Sequence, residues 1–129
     1  MSRRVLVVDD DPDIRELTRT CLEVVGGFTV ETATCGNAAL RLLESQNLPD
    51  ALLLDVMMPG LDGVTLVRQL RQSDRTQTLP VVLLTAKDLS HELDLHRLGI
   101  SGIIGKPFDP MTLSAEFSTL LGWTDSRAR

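Results

Sequence analysis

The residues of this chain that can do chemistry fall where apolar runs stop. Val5-Leu6-Val7-Val8 is followed by Asp9-Asp10-Asp11, Ala51-Leu52-Leu53-Leu54 by Asp55, Val81-Val82-Leu83-Leu84 by Thr85, and Gly102-Ile103-Ile104-Gly105 by Lys106-Pro107. Carboxylates of Asp9, Asp10 and Asp55 gathered at one point would raise one another's pKa values unless a cation lay among them. Oxygen ligands without histidine or thiolate favour Mg²⁺ or Mn²⁺, with waters completing the shell. The chain has two lysines against eleven arginines, and both lysines, Lys87 and Lys106, stand at the ends of expected strands. A cation, a lysine and the Thr85 hydroxyl around one carboxylate make a receptacle for a phosphoryl group. Asp55 would then be the nucleophile, forming an acyl phosphate. Each residue also has a structural reading: Asp11 suits a helix cap, and a lysine beside acids can simply neutralise them.

Such convergence needs particular elements. The four apolar runs are too short for helices and unbroken by polar residues, which suits strands covered on both faces of a parallel sheet. Phe28 to Ala33 alternates apolar with polar and suits an edge strand. Between the strands the period changes to about 3.6. Ile14, Leu17, Cys21, Leu22 and Val25 share one expected helical face, opened by Asp11 as cap and Pro12 in the first turn and closed by Gly26-Gly27. Further helices are expected over 37–45, 63–72, 89–98 and 109–121, with Leu40, Leu43, Val64, Val67, Leu70, Leu113, Phe117 and Leu120 facing inward. Strand and helix alternate as in a doubly wound α/β fold, which binds ligands beyond the carboxyl ends of its strands. If the first and third strands are neighbours, their ends lie about 4.8 Å apart and the three carboxylates converge.

Composition is compatible with this. At 129 residues, 43% apolar and 24% charged, the chain is long enough for one domain with a core that needs no metal or disulfide staple. The expected domain is 1–122, followed by a short polar tail over 123–129. No apolar run approaches the roughly 20 residues that span a bilayer, and no secretory segment opens the chain; a cytoplasmic, membrane-free protein is expected. With 18 acids, 13 bases and a net charge of −5, its scattered bases argue against nucleic acid as the direct ligand. Cys21 and Cys35 lack a metal or redox spacing and read as reduced thiols. His91 and His96 are five apart, not the three or four that place two ligands on one helical face, and read as surface residues.

Taken in order, Val7-Val8-Asp9-Asp10-Asp11-Pro12, Leu54-Asp55-Val56-Met57-Met58-Pro59-Gly60-Leu61-Asp62-Gly63, Leu84-Thr85-Ala86 and Gly105-Lys106-Pro107-Phe108 resemble the motifs of two-component response regulator receiver domains. The likeness spans residues 4 to 121. It implies a flavodoxin-like (βα)5 fold whose five-stranded sheet has the order 2-1-3-4-5. It also implies phosphotransfer from a sensor histidine kinase or histidine phosphotransfer protein onto Asp55. Mg²⁺ would be held by Asp10, Asp55 and the Met57 backbone carbonyl, with Asp9 acting through a metal-bound water. Lys106 would pair with Asp55 and then with the phosphoryl group, Thr85 would swing to hydrogen-bond it, and Pro107 would follow a cis peptide. Pro59, Gly60 and Gly63 would shape the loop after Asp55.

Two departures bear on behaviour. The family's switch position in the last strand, commonly Tyr or Phe, is Ile103, so any response of the fourth helix, fifth strand and fifth helix is expected to be a smaller rearrangement. Met57 and Lys87, two residues beyond the acceptor and the threonine, offer no acid or amide to orient an attacking water, which points to a long-lived phosphoryl state. Rival readings fare less well. A haloacid dehalogenase-like hydrolase would use Asp9 as nucleophile, but Pro12-Asp13 does not continue that motif and the chain has no room for a cap. A flavin module would not place three aspartates against a phosphate. A receiver-like binding module that works without phosphorylation remains the alternative, although Asp9, Asp10, Asp55, Thr85 and Lys106 are all present. Output is expected to pass to an unidentified protein partner, from a monomer or weak dimer.

Overall fold

The computed structural model describes residues 3–45, 47–58, 60–86 and 95–123. Its elements are β1 (Arg4–Val8), α1 (Pro12–Thr20) running into a π-helical turn (Cys21–Val25), β2 (Thr29–Ala33), α2 (Gly36–Ser45), β3 (Ala51–Asp55), α3 (Gly63–Arg71), β4 (Val81–Ala86), α4 (Leu95–Leu98), β5 (Gly102–Lys106) and α5 (Leu113–Leu121). The strands form one parallel sheet of order β2-β1-β3-β4-β5, the flavodoxin-like arrangement. Phe28–Ala33 does supply an edge strand, and β5 forms the other edge.

Alternate residues of each strand feed opposite layers. Leu6, Val8, Leu52, Leu54, Val81 and Leu83 join Ala39 and Leu43 of α2, Leu66, Val67 and Leu70 of α3, and Leu98 of α4. Val5, Val7, Leu53, Val82, Leu84 and Ile104 join Cys21, Leu22, Leu113 and Phe117 on the face covered by α1 and α5. Because both faces are covered, period-2 selection leaves no polar stripe, which is why the strands read as unbroken apolar runs.

The first helix departs from its expected face. Thr18, Cys21 and Leu22 are buried, whereas Leu17 is 40% and Val25 42% exposed. For Val25 the cause is the π turn: Gly26 N donates to Cys21 O at 3.3 Å, five residues back, so residues after Cys21 are rotated off the 3.6-residue period. The last helix starts later than expected. Asp109 ties down the preceding turn, its carboxylate accepting from Met111 N and its carbonyl from Thr112 N and Leu113 N, and regular helix begins at Leu113. Trp123, grouped by sequence with the tail, packs edge-on against Phe28 and Phe117 and carries the Arg3 guanidinium over its ring at 4.3 Å. Gly122, at φ +73°, ends α5 by placing Trp123 N on Ser118 O. Trp123→Ala is expected to cost about 1–3 kcal/mol in urea unfolding, the range for losing one partly covered large side chain; an unchanged midpoint would mean the ring adds nothing to the core.

Candidate functional site

Parallel pairing brings the strand ends to one edge. Val8 pairs with Leu54, Asp55 with Leu84, Thr85 with Gly105 and Ala86 with Lys106, so Asp9, Asp55, Thr85 and Lys106 share the carboxyl end of the sheet. Asp9, Asp55 and Thr85 are all buried there. Lys106 Nζ lies 3.2 Å from Asp55 Oδ1 and 3.5 Å from Asp9 Oδ2. Its peptide to Pro107 is cis. Asp10 is exposed, yet one of its carboxylate oxygens falls within 4.8 Å of oxygens from both Asp9 and Asp55. The convergence expected from strand order is therefore present.

The β1–α1 loop is tied down by its own acids. Asp9 N donates to Ala33 O, Asp11 N donates to Asp9 Oδ1 at 3.0 Å, and Asp11 Oδ1 caps α1 through Asp13 N and Ile14 N. One tie was not foreseen from the sequence: Arg15 Nη1 donates to the Asp9 carbonyl at 3.0 Å. The available signal was a basic residue one helical turn past the Asp11 cap, in reach of the loop behind it.

After Asp55 the chain turns sharply. Met57 N approaches Asp55 Oδ1 at 3.4 Å, Gly60 takes φ +78°, and Asp62 caps α3 through Thr65 N at 2.8 Å. A Cβ on Gly63 would stand 2.5 Å from Asp55 O and 2.9 Å from Val56 Cα. Both obstacles are backbone and cannot rotate away, so Gly63→Ala must displace the strand end that carries Asp55. A destabilisation of about 1–3 kcal/mol is expected, the usual cost of overpacking. Urea unfolding checks it, and a wild-type midpoint would show that the loop has slack.

Electrostatics set the character of the site. Burial and then the Asp9 carboxylate push the Asp55 pKa upward; Lys106 and the Met57 amide pull the other way without cancelling the rise. Two buried oxygens, Asp9 Oδ2 and Thr85 Oγ1, have no hydrogen-bond partner among the described residues. For Asp9 Oδ2 the 3.5 Å approach of Lys106 is an ion-pair distance without hydrogen-bond geometry, so attraction is present and the oxygen still lacks a donor. Three convergent carboxylates, one half-buried lysine and an unsatisfied acceptor fit a hard divalent cation.

The Met57 side chain is 63% exposed at the rim, and Ile103 is partly buried against the layer formed by α2, α3 and α4. Pro59, Lys87, His91 and the His96 side chain lie outside the described residues. Cys21 is buried, its thiol pushed up by that burial; Cys35 is half-buried, its pKa lowered chiefly by the Ala38 amide. Beside Lys106, an apolar cleft is lined by Ile14, Leu17, Pro107 and Phe108.

Residues 5–118 match the family model for the response regulator receiver domain. The chain belongs to that family, the receiver domains of two-component response regulators. It is 44% identical over 122 residues to the response regulator MprA of Mycobacterium ulcerans, covering 94% of this chain and 51% of that protein. It is 37% identical over 118 residues to the response regulator Rre1 of a Synechocystis species, covering 91% of this chain and 51% of the other. The chain thus spans about half the length of these curated relatives. Among solved structures, the chemotaxis response regulator CheY4 of Vibrio cholerae superposes with a TM-score of 0.83 at 29% identity, covering 93% of this chain and 99% of that one. The receiver domain of sensor histidine kinase PA1611 from Pseudomonas aeruginosa, solved with a magnesium ion in its active-site cleft, gives a TM-score of 0.80 at 27% identity over 95% of this chain and 99% of that one. Receiver domains are signalling domains that interact with histidine kinases and output domains. No helix among the described residues is long and apolar enough to cross a membrane.

Proposed function

We propose that this receiver domain accepts a phosphoryl group on Asp55 from the phosphohistidine of a sensor histidine kinase or histidine phosphotransfer protein, in the cytoplasm. The observation that carries the reading is the buried Asp55 carboxylate, with Lys106 Nζ 3.2 Å from its Oδ1 and oxygens of Asp9 and Asp10 beside it. A buried nucleophile with one cation in contact and an acidic rim suits transfer to a carboxylate and excludes bulk water.

Mg²⁺, or Mn²⁺, would be held by Asp10, Asp55 and the Met57 backbone carbonyl, with Asp9 reached through water. When bound it neutralises the crowded carboxylates and offsets the charge of the incoming phosphoryl oxygens. The chain's own residues do the rest. An Asp55 carboxylate oxygen bonds to phosphorus as the phosphorus–nitrogen bond of the donor breaks, and the donor imidazole keeps that electron pair. Lys106 passes from the carboxylate to a phosphoryl oxygen, and the Thr85 hydroxyl, buried without a partner among the described residues, donates to another. The apolar cleft of Ile14, Leu17, Pro107 and Phe108 gives a protein donor a surface to rest against beside Lys106.

The phosphorylated state is read by a protein partner on the face of α4, β5 and α5. With Ile103 where an aromatic would rotate, the change on that face is a small repacking. The direct test is phosphotransfer profiling, in which radiolabelled histidine kinases are mixed with the chain and Mg²⁺. Transfer from at least one kinase supports the reading, and none, combined with inertness to acetyl phosphate, leaves a phosphorylation-independent binding module.

The phosphoryl group is expected to be long-lived, since the exposed apolar Met57 side chain orients no water. Met57→Asn is expected to speed phosphate release about tenfold, a modest share of what a well-placed polar group contributes. Release at the wild-type rate would remove Met57 from control of lifetime.

A further inference from the structure

The geometry points to Arg15 as a positioning residue that orients the Asp9–Asp10 peptide, and so aims the Asp10 carboxylate for divalent-cation binding. The inference rests on the phosphoacceptor reading above and extends its machinery to a residue on α1. Arg15 is half-buried in the first turns of α1 and anchored twice to the acidic loop. Its amide donates to Asp11 O at 2.9 Å, and its guanidinium Nη1 donates to Asp9 O at 3.0 Å.

The second bond matters because of which carbonyl accepts it. Asp9 O belongs to the peptide whose nitrogen is that of Asp10, so its hydrogen bond sets the plane from which the Asp10 side chain departs. Among the described residues, the other hydrogen bonds that hold the loop act on its flanks: Asp9 N on Ala33 O, Asp11 N on Asp9 Oδ1, and the α1 amides on the Asp11 carboxylate. Asp10 itself is exposed and repelled by two carboxylates whose oxygens lie within 4.8 Å of its own, a force that swings it outward. A guanidinium on the preceding carbonyl resists that swing without itself occupying a carboxylate oxygen. Lys106 does not do this, since its contacts are to the Asp55 and Asp9 carboxylates and not to the loop backbone. The relation is that of an outer partner fixing an inner ligand, whose loss commonly costs 10- to 100-fold in metal affinity.

The test compares Arg15→Ala and Arg15→Lys with the parent chain in three measurements: the Asp10 amide ¹⁵N shift without metal, Mg²⁺ affinity by titration, and phosphoryl uptake from acetyl phosphate across Mg²⁺ concentrations. Arg15→Ala is expected to move the Asp10 amide resonance, weaken Mg²⁺ about 10-fold, and slow uptake at low Mg²⁺ with recovery at saturation. Arg15→Lys, which keeps a donor and a charge, should restore most of the affinity. If Arg15→Ala binds Mg²⁺ as tightly as a parent chain that does bind it, the inference is overturned and the site reading stands, even where the variant melts lower. If the parent neither binds Mg²⁺ nor takes up phosphoryl groups, both fall together.

Discussion

Replacing Asp55 by Asn is expected to abolish phosphoryl uptake completely, so that the roughly 80 Da gained by the parent chain from acetyl phosphate and Mg²⁺ is absent from the variant. An amide cannot form the acyl phosphate, and the other buried carboxylate, Asp9, stands farther from Lys106, at 3.5 Å against 3.2 Å for Asp55. The same substitution is expected to raise the melting temperature at neutral pH without metal. In the folded chain, burial and the Asp9 carboxylate raise the Asp55 pKa above its ordinary 3.8. Folding therefore favours the protonated acid, and stability is lost as pH rises from about that ordinary value through the raised one. Above both values the penalty is constant, and below both it vanishes. Asn carries no charge to desolvate, so its advantage should grow as pH rises above the ordinary carboxylate range and fade toward pH 4. Mg²⁺ should raise the melting temperature of the parent more than that of the variant, because only the parent has all three carboxylates. Mass spectrometry and thermal melts at several pH values check both halves. A phosphorylated Asp55→Asn chain would place the acceptor elsewhere, and an equal or lower melting temperature at pH 7 would mean Lys106 already compensates the buried charge.

The largest loss of stability is expected at the opposite end of the sheet. Phe117 is fully buried in α5 and meets Phe28 at 6.2 Å between ring centroids and Trp123 at 5.8 Å, both edge to face. Together with Trp123 it caps the layer formed by Val5, Leu53, Val82 and Ile104. Phe117→Ala removes the ring from three neighbouring elements at once and is expected to cost about 3–5 kcal/mol, transfer and cavity terms combined. That is a large share of the 5–15 kcal/mol typical of a domain. Urea unfolding measures it, with the slope unchanged. The cluster flanks the start of β1, since Thr29 pairs with Arg4 there, whereas Asp9 and Asp55 lie at the strand ends. Phosphoryl uptake by the folded fraction should accordingly stay near wild type. A loss under about 1 kcal/mol would mean the site collapses around the deletion.

Much of the candidate site could be read from the sequence because strand ends are local events. Asp9, Asp55, Thr85 and Lys106 each follow directly on an apolar run, and parallel strands deliver such residues to one edge. Arg15 was missed because its contact is to a backbone carbonyl, and carbonyls carry no sequence signature. Trp123 was missed for a different reason. Alone after Gly122 it looks like the start of a tail, and only the Gly122 turn and the neighbouring Phe28 and Phe117 reveal it as core. The π turn at Cys21–Val25 escaped a period of 3.6 because one added residue per turn changes the face without changing composition.

By itself, then, the amino-acid sequence determined the α/β class, the alternation of elements and the acids, hydroxyl and lysine available at the strand ends, since each depends on periodicity and nearest neighbours. The tertiary structure alone decided the distances among those groups. It set Lys106 between Asp55 and Asp9, left Asp9 Oδ2 and Thr85 Oγ1 without a hydrogen-bond partner among the described residues, and put Arg15 on the Asp9 carbonyl. Such relations arise from strand register and helix packing between residues far apart in the chain, which no local pattern encodes.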